Sequence, residues 1–170
     1  MNEIFKKRRS VRQFTDKEVE DEKIKQILSA AMVAPSANHV NPWEFVVVKD
    51  KNTLSRLSEI GMWQKFVAES SVSIVITANP IDTDKWVQDC SIAAAHIYLE
   101  SANQGLGVCW ANVMSDPMKP NEKERLVKQV LNIPDSHRVL CIMAIGYPAK
   151  NVEEHSEDEY REDKVHEERW

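Results

Sequence analysis

The stretch at residues 85–106 constrains this chain more than any other. Its spacing predicts one long helix, lined with small side chains at Cys90, Ser91, Ala93, Ala94, Ala95, Ser101 and Ala102. Ile92, Ile97 and Leu99 are distributed around the same helix. A helix apolar on most sides sits in a core or an interface, not on a water-facing surface. Gly105-Leu106-Gly107 ends it, as glycine commonly does. The remainder of the chain has to enclose it.

Four segments read as strands: 43–48, 72–78, 108–113 and 138–145, helped by β-branched runs such as Phe45-Val46-Val47-Val48. The second is almost wholly apolar, which predicts burial on both faces. Helices are expected at 3–7, 20–34, 53–60, 63–69 and 121–131. The one at 20–34 has Ile24, Ile27, Leu28 and Ala31 at helical spacing, with Glu20, Asp21 and Glu22 at the positive end of its dipole. It stops at Pro35. The following PSANHVNPW is polar and bounded by prolines, so it reads as a loop. No repeat or linker divides this order, and 170 residues with 42% hydrophobic content suit one domain, 1–170.

Charge is placed unevenly. Residues 6–12, KKRRSVR, hold five basic residues and no acid in a chain of net charge −5. Such density usually faces an anion; arginine forks offer directed donors to a phosphate and Ser10 adds a neutral one. The bland counterpart is a solvated basic helix end or a disordered arm. Residues 153–170 carry nine acids against three Lys/Arg, net −6, leaving about +1 for everything else. A nucleic-acid surface needs cations spread over a face, so none is expected. No window is apolar enough for a membrane span, no apolar signal segment follows the charged start, and a cytoplasmic protein is expected. Cys90, Cys109 and Cys141 lie in apolar segments and read as reduced, buried thiols; neither they nor the five histidines have metal-ligand spacing.

Four segments, in order, carry a resemblance: RRSVR, APSANHVNPW, the run from Asp89 to Gly107 with Trp110 beyond it, and Gly146-Tyr147-Pro148. Together they resemble the FMN-dependent nitroreductase family, over essentially the whole chain, as a short member. The resemblance implies an α+β fold, an α/β/α sandwich whose central, mostly antiparallel sheet is flanked by helices, in an intertwined homodimer with flavin sites at the interface. It implies that Arg8, Arg9, Ser10 and Arg12 bind the FMN phosphate and ribityl chain. Pro35, Ser36 and Ala37, with His39 nearby, would bind the flavin of the other subunit. Trp110, Ala111, Asn112 and Val113 would pass their backbone near its reactive nitrogen, with Gly146 in the closing motif. Lys65, equally readable as a solvated helix lysine, would stand at the pyrimidine end of the ring, a fixed charge of the oxyanion-hole kind.

No catalytic side chain is nominated, because the family's chemistry belongs to its flavin, fed by NADH or NADPH and emptied by a small-molecule acceptor such as a nitroaromatic or quinone. Other redox chemistry on the same fold, reductive dehalogenation or reduction of an activated alkene, stays open, as does a non-enzymatic module whose basic cluster binds an anion, nucleic acid or a partner's acidic segment. Three positions depart from the pattern. His39 and Asn41 replace the usual Asn and Gln, and His96 replaces a helix Asn. Near the end, Glu159 stands where many relatives place a cation for the phosphate, leaving Arg161, Lys164 or the N-terminal arginines to serve. The acidic tail, 151–170, is expected to pack on the partner subunit. The short 115–121 loop implies an open site.

Overall fold

Four strands form one sheet: β1 (Trp43–Val48), β2 (Val72–Ala78), β3 (Gly107–Asn112) and β4 (Arg138–Gly146). The computed structural model, which describes all 170 residues, orders them β1-β2-β4-β3 with every neighbouring pair antiparallel. The central strands β2 and β4 are buried at every position, which is why their sequences run apolar without alternation. At their meeting the register slips between Ile76 and Thr77, and the Thr77 hydroxyl donates to the Arg138 carbonyl at 2.7 Å.

Helices cover both faces. On one side α2 (Asp21–Met32) and α5 (Trp86–Asn103) pack on Ile74, Ile76, Met143 and Ile145. On the other, α3 (Lys51–Leu57), α4 (Phe66–Glu69) and α6 (Glu122–Leu131) cover Val75, Ala111, Ile142 and Ala144. A short α1 (Glu3–Lys7) leads into the chain. This is the α+β, three-layer arrangement expected from the resemblance.

The small residues of α5 explain its position. Cys90, Ala93, Ala94 and Ile97 are buried toward α2 and the sheet, while Ile92 and Ala95 remain exposed. His96 Nδ1 lies 2.8 Å from the Ala30 carbonyl, tying the two helices together through a satisfied polar contact. All three cysteines are free and buried. Burial pushes the Cys90 thiol up to about 12, with the neighbouring Asp89 charge adding to the effect.

Boundaries differ from the sequence expectation in explicable ways. The helix expected at 85–106 covers Trp86–Asn103, because the Leu106 N–H turns back to the Ser101 carbonyl at 2.8 Å. The helix expected at 53–60 begins at Lys51, since the Asp50 carboxylate caps it by accepting the Thr53 N–H at 2.8 Å. The segment expected as one helix at 63–69 is two pieces, a 3-10 turn at Met62–Gln64 and then α4. Strand β3 ends at Asn112, leaving Val113 outside it.

One buried ion pair fastens α6 to the sheet. Glu124, with no exposed surface, accepts from Arg138 Nε at 2.7 Å and Nη2 at 3.0 Å, and from the Val139 N–H at 2.9 Å. The remaining guanidinium donors reach the Pro117 and Asp116 carbonyls at 2.6 and 2.8 Å, so the same arginine holds the 115–121 loop. Removing one partner of such a pair strands the other charge in the interior. Glu124→Ala is therefore expected to lower unfolding free energy by about 3–5 kcal/mol in urea titration. The three thiols, measured with a thiol reagent near neutral pH, are expected to react only after denaturant is added.

Candidate functional site

Beyond α1 the chain runs extended along the free edge of β3. Ser10 forms a parallel bridge with Val108, and the Val11 N–H donates to the Val108 carbonyl at 2.9 Å. Extended backbone sends successive side chains to opposite sides. The basic run is thereby sorted. Arg8, Ser10 and Arg12 face the end of α5 and α4, while Lys7, Arg9 and Val11 face the turn before β3. Val11 is buried against Gly107, where a Cβ would stand 2.6 Å from Val11 Cβ; the close approach requires glycine.

The first face is organised by Tyr98. Its hydroxyl accepts the Trp110 N–H at 2.8 Å, which leaves its own proton for Ser10 Oγ, 3.4 Å away. The Arg8 guanidinium lies over the Tyr98 ring at 5.7 Å and donates through Nη2 to His155 Nε2 at 2.8 Å. Arg12 stands over the Phe66 ring at 5.9 Å. Burial raises the Tyr98 pKa, partly offset by Ser10, the Trp110 N–H and Arg8, so the phenol stays protonated and able to donate. None of Arg8, Arg9 and Arg12 takes part in a salt bridge.

Arg9 does not join them. With Lys7 and Lys150 it lines a separate cleft of about 400 Å³ between the Gly105–Gly107 turn and residues 147–152. Gly146 is not at an open surface either. It pairs with Gly107 in the ladder, and a Cβ there would lie 2.9 Å from the Phe14 ring. Ala111 and Val113 are buried, so at the end of β3 only backbone is available from them. Trp110 is half-buried, and its Nε1–H donates to Asn112 Oδ1 at 3.1 Å. Lys65 is exposed and immediately precedes Phe66, the ring beneath Arg12.

The loop after α2 sits elsewhere. Asn38, His39 and Asn41 adopt φ of 53°, 56° and 51°, left-handed backbone that asparagine and histidine tolerate better than most residues. Ser36 Oγ donates to Asn41 Oδ1 at 2.7 Å and accepts the Asn41 N–H at 3.0 Å. The Ala37 N–H donates to Asp89 Oδ1 at 3.0 Å. Asp89 is 3% exposed, and its second oxygen has no partner. Asp89 occupies the first turn of α5 and Tyr98 lies nine residues on, roughly 13 Å along the axis at 1.5 Å per residue. Within one chain, the Pro35–Ser36–Ala37–His39 loop and the arginine face are thus held near opposite ends of α5.

Sequence reasoning missed Tyr98, Asp89, Phe66 and His155. Asp89 had a signal, as the acid in the first turn of an otherwise apolar helix. Tyr98 had a weaker one, a phenol among small residues. Nothing local marks His155, whose importance comes from a contact 147 positions away.

Comparison with known proteins follows the same outline. The model of the nitroreductase family matches residues 5–65 and 61–147. An FMN-dependent nitroreductase of Clostridium difficile R20291 superposes with a TM-score of 0.93 at 36% identity, covering 98% of each chain. A protein of Archaeoglobus fulgidus, whose name pairs NADH dehydrogenase with NAD(P)H nitroreductase, is 34% identical over 96% of this chain and 94% of its own. An iodotyrosine deiodinase of Nematostella vectensis is 26% identical over 88% of this chain and 67% of its own.

The Asp89 contact yields a direct test. In Asp89→Ala the Ala37 amide loses its acceptor, and its hydrogen exchange is expected to accelerate by roughly tenfold, while protection in β2 and β4 is kept.

Proposed function

This chain belongs to the nitroreductase family, and we propose that it is an FMN-dependent NAD(P)H oxidoreductase acting on a nitroaromatic, quinone or similar flat acceptor. The observation that carries the cofactor is the sorted face of the N-terminal run. Two guanidinium groups and a hydroxyl, none of them in a salt bridge, line the edge of β3, Arg8 and Ser10 beside Tyr98 of α5 and Arg12 beside Phe66 of α4. That donor set fits a phosphate with a polyol chain attached.

Arg8 and Ser10 would hold the phosphate. The Ser10 hydroxyl, accepting from Tyr98, turns its own proton outward. Arg12 continues the positive face toward Lys65, whose ammonium would be a fixed charge at the pyrimidine end of the ring. The backbone of Trp110–Val113 would border the ring, its side chains held by the sheet and by the Asn112 bridge to the Met114 carbonyl at 2.6 Å. Bound FMN supplies the hydride chemistry; the protein binds it, orients it and tunes its charge. His39 is read as a positioning group in preference to a proton donor.

A homodimer accounts for the separated loop. If Pro35, Ser36 and Ala37 serve the site of the other subunit, the distance along α5 becomes a requirement of the assembly. The exposed Ile92 and Ala95 give α5 a contact surface for it. The outer part of the tail, with Tyr160, Val165 and Trp170 exposed, would pack on that partner. Residues 1–170 would form one domain of a cytoplasmic protein; no helix is long and apolar enough to cross a membrane.

The test is steady-state oxidation of NADH and of NADPH by FMN-reconstituted protein, with a quinone and with a nitroaromatic. Turnover with at least one nucleotide is expected. Failure with both, in protein shown to hold FMN, overturns the reading. The deiodinase relatives make a halogenated phenol the informative third acceptor. Arg12→Ala is expected to weaken FMN binding tenfold or more, as about 1.5–3 kcal/mol for a charged hydrogen bond implies, with an unchanged far-ultraviolet circular dichroism spectrum.

A further inference from the structure

The C-terminal tail returns to the basic run at one place. The His155 N–H donates to the Lys6 carbonyl at 2.9 Å, and the Met1 ammonium meets Glu157 at 2.7 Å. Ser156 begins a single 3-10 turn, Glu157–Glu159, and its N–H donates to the Glu159 carboxylate at 3.2 Å. That turn aims Glu159 at the His155 ring, with Nδ1 2.7 and 2.8 Å from the two carboxylate oxygens. The opposite ring nitrogen, Nε2, is the atom that meets Arg8 Nη2 at 2.8 Å.

The roles in this chain of contacts are forced. A guanidinium has no acceptor, so Nε2 must accept from it, and a carboxylate has no donor, so Nδ1 must carry the proton. Glu159 thereby fixes the tautomer of His155, whose Nε2 presents its lone pair to Arg8. Only one of the five N–H donors of Arg8 is used. With the Tyr98 ring beside it, the guanidinium has a fixed direction and four donors left.

We propose that His155 and Glu159 are positioning residues of the anion site, setting the direction of Arg8 for a phosphate. The assignment rests on the reading that Arg8 binds the phosphate of FMN. It explains why an acid can stand at position 159, where the charge of a phosphate would otherwise disfavour one. The carboxylate faces His155, whose hydrogen bond leads the causes that lower its pKa, with the Arg9 charge a smaller one.

Affinity for FMN and for riboflavin, which lacks the phosphate, separates this role from a general loss of structure. His155→Ala is expected to bind FMN roughly tenfold more weakly while riboflavin binding stays within about twofold. His155→Gln, whose amide oxygen still accepts from Arg8, is expected to recover most of the FMN affinity. Glu159→Ala should fall between wild type and His155→Ala. Arg8→Ala in the same series tests the underlying reading. If Arg8→Ala weakens FMN and His155→Ala does not, the positioning role is overturned while the phosphate site stands. Equal loss of FMN and riboflavin in His155→Ala overturns it too. If Arg8→Ala leaves FMN binding unchanged, the reading of the site falls, and this inference with it.

Discussion

One main-chain hydrogen bond, from the Val11 N–H to the Val108 carbonyl, sets the register of the basic residues that follow α1. Because it fixes an extended segment in register with the edge of β3, a dense block of like charge becomes two faces of different chemistry. Arg8, Ser10 and Arg12 meet aromatic rings and a phenol; Lys7 and Arg9 meet a cleft. The bond depends on Gly107, which lets Val11 pack against the strand. A shift by one residue would exchange the faces and bring Arg9 where Arg8 now stands.

Much of the fold is written in local pattern. The limits of β1 and β2 coincide with their apolar runs, and Pro42, which has no N–H to donate, stands immediately before β1. The cover of the sheet by α2 and α5 follows from helical spacing in one and small residues in the other. What local pattern does not carry is set by side chains reaching backbone. Asp50 pulls the start of α3 back by two residues, and the Ser101 carbonyl ends α5 early.

The candidate site was legible where residue type matters and illegible where direction matters. Basic density marked Arg8, Arg9 and Arg12 alike, and only the register of an edge strand shows that Arg9 lines the cleft beside the Gly105–Gly107 turn. Gly146 belongs to a closing motif, yet its place in the ladder is explained by the Phe14 ring. Tyr98 and His155 join segments far apart in the chain, and nothing in their neighbours announces it. Hydrogen-bond partners at such separation are products of topology, available only once the sheet order is known.

The left-handed residues of the 36–41 loop have a further consequence. Asn38, His39 and Asn41 hold their shape through backbone preference, a serine–asparagine clasp and the Asp89 anchor, all supplied by their own chain. Conformational entropy is therefore surrendered when the protein folds, not when something touches the loop. Whatever meets this surface encounters a finished shape, and the free energy of contact is not diminished by the cost of ordering it.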